Sequence, residues 1–133
     1  MQTVMKKTRM FRTLLIAAVI LVVGAVAYQE RKPKGPDLKG DLAQCLTDKG
    51  VKFYGAYWCP HCTSQKKLLG DGMKKVTYVE CAVYGDPQAQ TQACKDAGIT
   101  NYPTWIFGDG TKVTGEQSLV ELADKSGCPW TGR

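Results

Sequence analysis

The sequence predicts an α/β domain, a central mixed sheet flanked by helices, preceded by a single N-terminal hydrophobic helix. Three observations point there. Strand-like apolar runs alternate with helix-like segments from residue 41 onward, a Cys-x-x-Cys motif stands where one strand gives way to a helix, and residues 14–28 form an apolar stretch behind a cluster of cations. At 133 residues the chain has room for one such domain.

The elements follow in order. Asp41 with Gln44 reads as a helix cap, Leu42, Cys45 and Leu46 share one face, and Gly50 supplies the stop. A strand follows over residues 51–56. The motif helix, residues 59–69, runs to a turn at Gly70-Asp71-Gly72, and a second strand spans residues 76–81. Beyond a loop at 84–87, Asp86 and Pro87 stand as N-cap and first residue of another helix, with Ala89, Ala93 and Ala97 as its packing stripe. Residues 104–107 and 112–114 flank Gly108-Asp109-Gly110 as a hairpin, and Ser118-Leu119-Val120-Glu121 is a capping box opening the last helix. Helices between the first three strands predict parallel crossovers among them.

The net charge of +6 is a property of one end. Residues 1–39 carry eight Lys and Arg against two acids, whereas residues 40–133 carry ten of each, so the folded part is neutral and offers no basic face for nucleic acid. Lys66, Lys67, Lys74 and Lys75 read as a solvated face. Lys6, Lys7, Arg9 and Arg12 precede the apolar segment and predict an N-terminus held in the cytoplasm with everything after Tyr28 exported. The domain plan is therefore a basic tail over 1–12, a transmembrane signal anchor over 13–28, a Pro/Gly-rich tether over 29–40 and the globular domain over 41–133. Ala25-Val26-Ala27 satisfies a small-x-small cleavage pattern, which leaves a secreted product as the alternative.

The chemistry centres on Trp58-Cys59-Pro60-His61-Cys62. Cys59 falls at a helix N-terminus, where free N–H groups and the positive dipole end favour a thiolate. Cys62 lies three residues along on the same face, within disulfide reach. Pro60 suits a first helical turn, and His61, the sole histidine, can present an N–H or a positive charge to the Cys59 sulfur. Both effects stabilise the thiolate, and a stabilised reduced form makes the disulfide a stronger oxidant.

With Tyr102-Pro103-Thr104 before the hairpin and a capped final helix, this order resembles the thioredoxin fold over residues 41–127. Residues 53–62, Tyr78-Val79-Glu80-Cys81 and Tyr102-Pro103-Thr104-Trp105 are most similar to the thioredoxin-like domain fused to bacterial homologues of vitamin K epoxide reductase, and Cys-Pro-His-Cys is the DsbA-type motif. The resemblance implies that Pro103 is cis beside the redox pair and that Tyr102 offers backbone hydrogen bonds to an extended substrate. It also implies a quinone-linked membrane oxidase of the vitamin K epoxide reductase type as partner, here on a separate polypeptide. One position departs from thioredoxin itself: Phe53 stands where an acidic residue assists proton transfer at the second cysteine.

Competing readings bear on the cysteines. Zinc would need Cys81 and Cys94 beside Cys59 and Cys62, and their spacing is not a second Cys-x-x-Cys, so no metal and no cofactor beyond the redox-active disulfide is expected. Six cysteines in an exported chain point to an oxidising compartment. Cys81 and Cys94 read as a structural disulfide across an inserted loop, leaving Cys45 with Cys128, although four cysteines allow three connectivities. Of the aromatics, Trp58 is placed at the active-site rim, while Tyr57 and Trp105 read as core rather than groove, as aromatics in strands more often are. The functional expectation is a membrane-tethered, single-pass thiol-disulfide oxidoreductase that forms or exchanges disulfides in exported, thiol-containing proteins. The alternatives are an extracytoplasmic reductase or isomerase, and a non-catalytic binding module on the same fold.

Overall fold

The computed structural model describes residues 2–30 and 36–132 and, within the first helix, the side chains of Arg12 and residues 14–28. The chain divides into two compact units, Met1–Pro36 and Asp37–Arg133. The first holds α1 (Gln2–Glu30). Among the described residues no helix is long and apolar enough to cross a membrane. The described apolar stretch, residues 14–28, rises about 22 Å at 1.5 Å per residue, against a hydrocarbon core about 30 Å thick. The signal anchor, the membrane-tethered domain with its single-pass localisation, and the membrane as a partner are corrected accordingly. The quinone-linked oxidase expected beside it loses the shared membrane that would bring the two together. Of the expected tether, residues 31–35 lie outside the described residues, and residues 38–40 are helical.

The second unit is built on four strands. β1 (Lys52–Gly55) lies between β2 (Thr77–Glu80) and β5 (Thr104–Ile106), with β6 (Lys112–Thr114) at the edge beyond β5. β2 is parallel to β1, but β5 is antiparallel to it, against the expected third parallel strand. The reason lies in the connection. After β2 the chain makes a two-stranded excursion, β3 (Ala82–Val83) with β4 (Asp86–Gln90), and a five-residue helix, α4 (Gln92–Asp96). Thr91 N–H returns to the Cys81 carbonyl at 2.8 Å, and a disulfide ties Cys94 to Cys81. The chain is thus held at the end where β2 finished and re-enters the sheet from there. A parallel strand would need a crossover running back along the sheet.

Two helix starts also differ from expectation. α2 (Leu38–Asp48) is capped by Asp37, whose Oδ1 accepts the Gly40 N–H at 3.0 Å, leaving Asp41 inside the first turn. Asp86 and Pro87 begin β4 rather than a helix. Asp86 does accept N–H groups from Gln88 and Ala89 as a cap would, yet pairing of residues 82–83 with 86–90 takes the backbone, and α4 starts after Thr91. The last helix, α5 (Leu119–Ser126), has its capping box formed between Ser118 and Glu121.

The core sits where α2, α3 (Pro60–Leu69) and α5 supply apolar residues to the sheet, with Leu42, Leu46, Leu69 and Leu122 buried. Phe53 and Trp105, opposite each other in register, stack at 4.6 Å and are both fully buried. Phe53 is therefore a core residue of the central strand.

Two disulfides bind this unit, Cys45–Cys128 across 83 residues and Cys81–Cys94 across 13. A cross-link restricts the unfolded chain more when the loop it closes is longer, so the two should differ in worth. Replacing Cys45 and Cys128 by Ala should lower unfolding free energy by about 4 to 5 kcal/mol, and replacing Cys81 and Cys94 by about 3 kcal/mol. Denaturant titration of the two double variants checks this, and the reverse order would refute it.

Candidate active site

β1 ends on Gly55, and the chain then turns through Ala56, Tyr57 and Trp58 into α3. Glycine at 55 lets the Cys62 sulfur and the Tyr78 ring come close, for a Cβ there would lie 3.0 Å from the first and 3.2 Å from the second and crowd both. The turn is closed by the Cys59 N–H on the Ala56 carbonyl at 3.0 Å and by the Tyr57 N–H on Glu80 Oε1 at 3.1 Å. Cys59 is the N-cap of α3 in extended backbone, with Pro60 in the first turn, where a missing N–H costs nothing.

Its Sγ does what a cap side chain does and accepts the Cys62 N–H at 3.3 Å. The sulfur of the motif's first cysteine is thus also the capping atom of α3. On its other side the Cys59 thiol faces the Tyr102 carbonyl at 3.8 Å, and the Tyr102–Pro103 peptide is cis. Trp58, about half exposed, meets Tyr102 edge-on at 5.9 Å. The structure thus brings Trp58, Cys59, Pro60, Cys62, Tyr102 and Pro103 to one end of the sheet. Cys59 and Cys62 are free thiols here, and both are largely buried.

Their environments differ. Burial first, and then the hydrogen bond with Cys59, push the Cys62 thiol up to about 12. Beside it the Tyr78 ring lies under the Lys66 ammonium, 3.7 Å from the ring centroid, and its hydroxyl donates to Glu80 Oε2 at 2.7 Å. Burial and the Glu80 partner raise the Tyr78 phenol well above its ordinary range. Tyr78 is therefore a neutral wall of the Cys62 pocket.

His61 stands elsewhere than expected. Its Nδ1–H donates to Glu116 Oε1 at 2.6 Å, and both side chains are substantially exposed. A carboxylate is a better partner for imidazole than a thiol, and the segment carrying Glu116 is held against α3 by a reciprocal buried pair. Gln65 Nε2 donates to the Gln117 carbonyl at 3.0 Å, and Gln117 N–H donates to Gln65 Oε1 at 2.7 Å.

Sequence reasoning missed Glu80, Tyr78, Gln65 and Glu116. Glu80 and Tyr78 sit two apart on β2, a spacing that puts both on one face of a strand, and that alternation was the available signal. No local pattern connects Glu116 to His61. The remaining cysteines are taken up by the two disulfides, and among the described residues no group of three or more His, Cys, Asp or Glu could hold a metal ion.

No protein-family model matches the chain. It is similar to the thiol-disulfide oxidoreductase LTO1 of Arabidopsis thaliana, with 43% identity over 89 residues covering 65% of this chain, and it spans only 23% of that relative's length. It is also similar to a glutaredoxin of Pseudomonas aeruginosa, with 35% identity over 72 residues covering 54% of this chain and 82% of that protein. Among solved structures, oxidized glutaredoxin 2 from Chlamydomonas reinhardtii superposes with a TM-score of 0.41 at 20% identity, covering 70% of this chain and 96% of that one, too loosely to bear on function. A match of that extent to the glutaredoxin, joined to a Cys-x-x-Cys seated at the head of α3, makes this chain a thiol-disulfide oxidoreductase of the thioredoxin/glutaredoxin superfamily.

Proposed function

We propose that the chain acts as a disulfide reductase or isomerase on protein substrates, through Cys59 as nucleophile and Cys62 as resolving thiol. The observation that carries this direction is the His61–Glu116 contact, Nδ1 to Oε1 at 2.6 Å. An oxidising pair needs strong stabilisation of the Cys59 thiolate, and here the imidazole that would supply it is engaged by a carboxylate instead. The DsbA-type motif is thus present in sequence while its histidine is turned to Glu116. The raised Cys62 thiol supports the same reading, because a resolving group that holds its proton leaves a mixed disulfide time to rearrange. Two structural disulfides suit a compartment oxidising enough to keep them closed.

The exchange runs as follows. The Cys59 thiolate attacks one sulfur of a substrate disulfide, forming a mixed disulfide and expelling the other substrate sulfur as a thiolate. Cys62 then attacks the Cys59 sulfur, its proton passing to the departing substrate sulfur, and the protein is left with a Cys59–Cys62 disulfide. Two electrons have moved to the substrate, and a small-molecule or protein dithiol restores the reduced form. In isomerisation a second substrate thiol attacks the mixed disulfide first, and no net electrons move. Trp58, Tyr102 and Pro103 form the edge against which the substrate chain lies.

A closer kinship belongs to the same reading, with the thioredoxin-like domain of vitamin K epoxide reductase homologues. Identity of 43% to the plant oxidoreductase over 89 residues supports descent narrower than the shared fold.

Three outcomes are expected. Cys62→Ala should accumulate mixed disulfides through Cys59 under acid quench, and Cys59→Ala should trap almost none; equal trapping by both would reverse the assigned roles. Glu116→Gln should free His61 from its carboxylate partner and make the Cys59–Cys62 pair more oxidising, and an unchanged reduction potential against a glutathione buffer would remove the His61–Glu116 contact from the account. The third concerns pH. The folded Cys62 pKa is raised from an ordinary 9.0 to about 12, so its contribution to stability is whole below about pH 9 and is lost as pH climbs toward 12. The reduced protein should lose stability relative to Cys62→Ala across that window, as read by denaturant midpoints, and parallel curves for the two would contradict it.

A further inference from the structure

We propose that Tyr57 and Tyr84, with Trp58 beside them, form a docking platform for an extended polypeptide whose reacting cysteine is flanked by aromatic or large apolar side chains. The proposal rests on the exchange reaction above and names its substrate class. Tyr84 lies in the turn between β3 and β4 and is 76% exposed, yet its ring is not loose: it stacks on Tyr57 at 4.6 Å with an interplanar angle of 10°. Tyr57 and Trp58, at 41% and 47% exposure, directly precede Cys59. A stacked aromatic pair left in water beside the redox motif marks an interaction surface, and Tyr and Trp are the residues enriched where binding energy concentrates.

The excursion that carries Tyr84 is fixed at several points. The Cys81–Cys94 disulfide closes its base, the Thr91 hydroxyl donates to the Glu80 carbonyl at 3.0 Å, and Gln90 Nε2 donates to the Tyr102 hydroxyl at 2.8 Å. The last of these ties the excursion to the residue whose carbonyl faces the Cys59 sulfur at 3.8 Å. A surface held in place before binding loses little conformational freedom on binding. The occupant follows from continuity with the reacting atom. A chain that presents a sulfur to Cys59 sets its neighbouring residues against Trp58 and the Tyr57–Tyr84 stack, and a face of rings is matched by apolar or aromatic side chains.

The test uses the reduced full chain in single turnovers with two synthetic peptides. Each carries one cysteine as a mixed disulfide with 2-mercaptoethanol, flanked by Phe on both sides in one peptide and by Ser in the other. Wild type should react faster with the Phe peptide. In Tyr84→Ala the ratio of the two second-order rate constants should fall roughly two- to tenfold, the span of one aromatic contact, and Tyr84→Phe should restore it. Equal rates in wild type, or a ratio unmoved by Tyr84→Ala, would overturn the platform while leaving the exchange chemistry standing. Failure of wild type to react with either peptide would instead bring down the exchange reaction and the platform with it. A concentration-dependent dimer in sedimentation that Tyr84→Ala dissolves would assign the surface to a second copy of the chain and likewise overturn the proposal.

Discussion

One carboxylate organises the reacting end of this molecule. Glu80, the last residue of β2, accepts the Tyr57 N–H on one side, the Ala82 N–H on the other, and the Tyr78 hydroxyl through its second oxygen. The first bond fixes the turn that delivers Cys59 to the head of α3. The second aims the chain into the β3–β4 excursion, and the third holds the Tyr78 ring against the Cys62 pocket. Backbone donors at the end of a sheet have no ladder partner, and a buried or half-buried donor left unpaired costs about 1 to 3 kcal/mol. Charge-assisted bonds are the stronger way to meet that demand, which is why one acidic side chain can set three segments at once.

Around that anchor the two cysteines are made chemically unequal by position alone. Cys59 is at the helix end, its sulfur turned toward an N–H; Cys62 is one turn in, walled by Gly55, Tyr78 and the core. The same four-residue motif therefore presents one sulfur that caps the helix end and one packed within the core. His61 lies on the outer side of the turn, where its partner is a carboxylate 55 residues further on.

Much of the fold was legible in local sequence. The strand at 51–56, the motif helix, the hairpin about Gly108-Asp109-Gly110 and the capping box at Ser118 each carry a strong short-range signal, and the structure forms them. What was not legible depends on where the chain goes between elements. Asp86-Pro87 suits a helix start and a bulged edge strand equally, and only the return of Thr91 to Cys81 decides between them. The antiparallel β5 follows from that same excursion. At the site, the spacing of Cys59 and Cys62 announces the chemistry, whereas the partner of His61 and the triple role of Glu80 are long-range facts. Tyr57 shows the limit of residue type as a guide: an aromatic after a strand fits a core or a surface, and burial by neighbours settles which.

The Cys45–Cys128 bridge also changes what the domain does under load. It joins α2, the first element of the globular unit, to the residue following the C-cap of its last helix, with Cα atoms 5.9 Å apart. Tension applied along the chain from outside these two residues passes straight through the sulfur–sulfur bond, and everything between them, the redox pair included, feels none of it. A machine that threads polypeptides through a narrow pore would have to admit two strands side by side once it reached this point, or wait for a reductant. In a protein of the thiol-disulfide oxidoreductase class, mechanical resistance and redox state become one property.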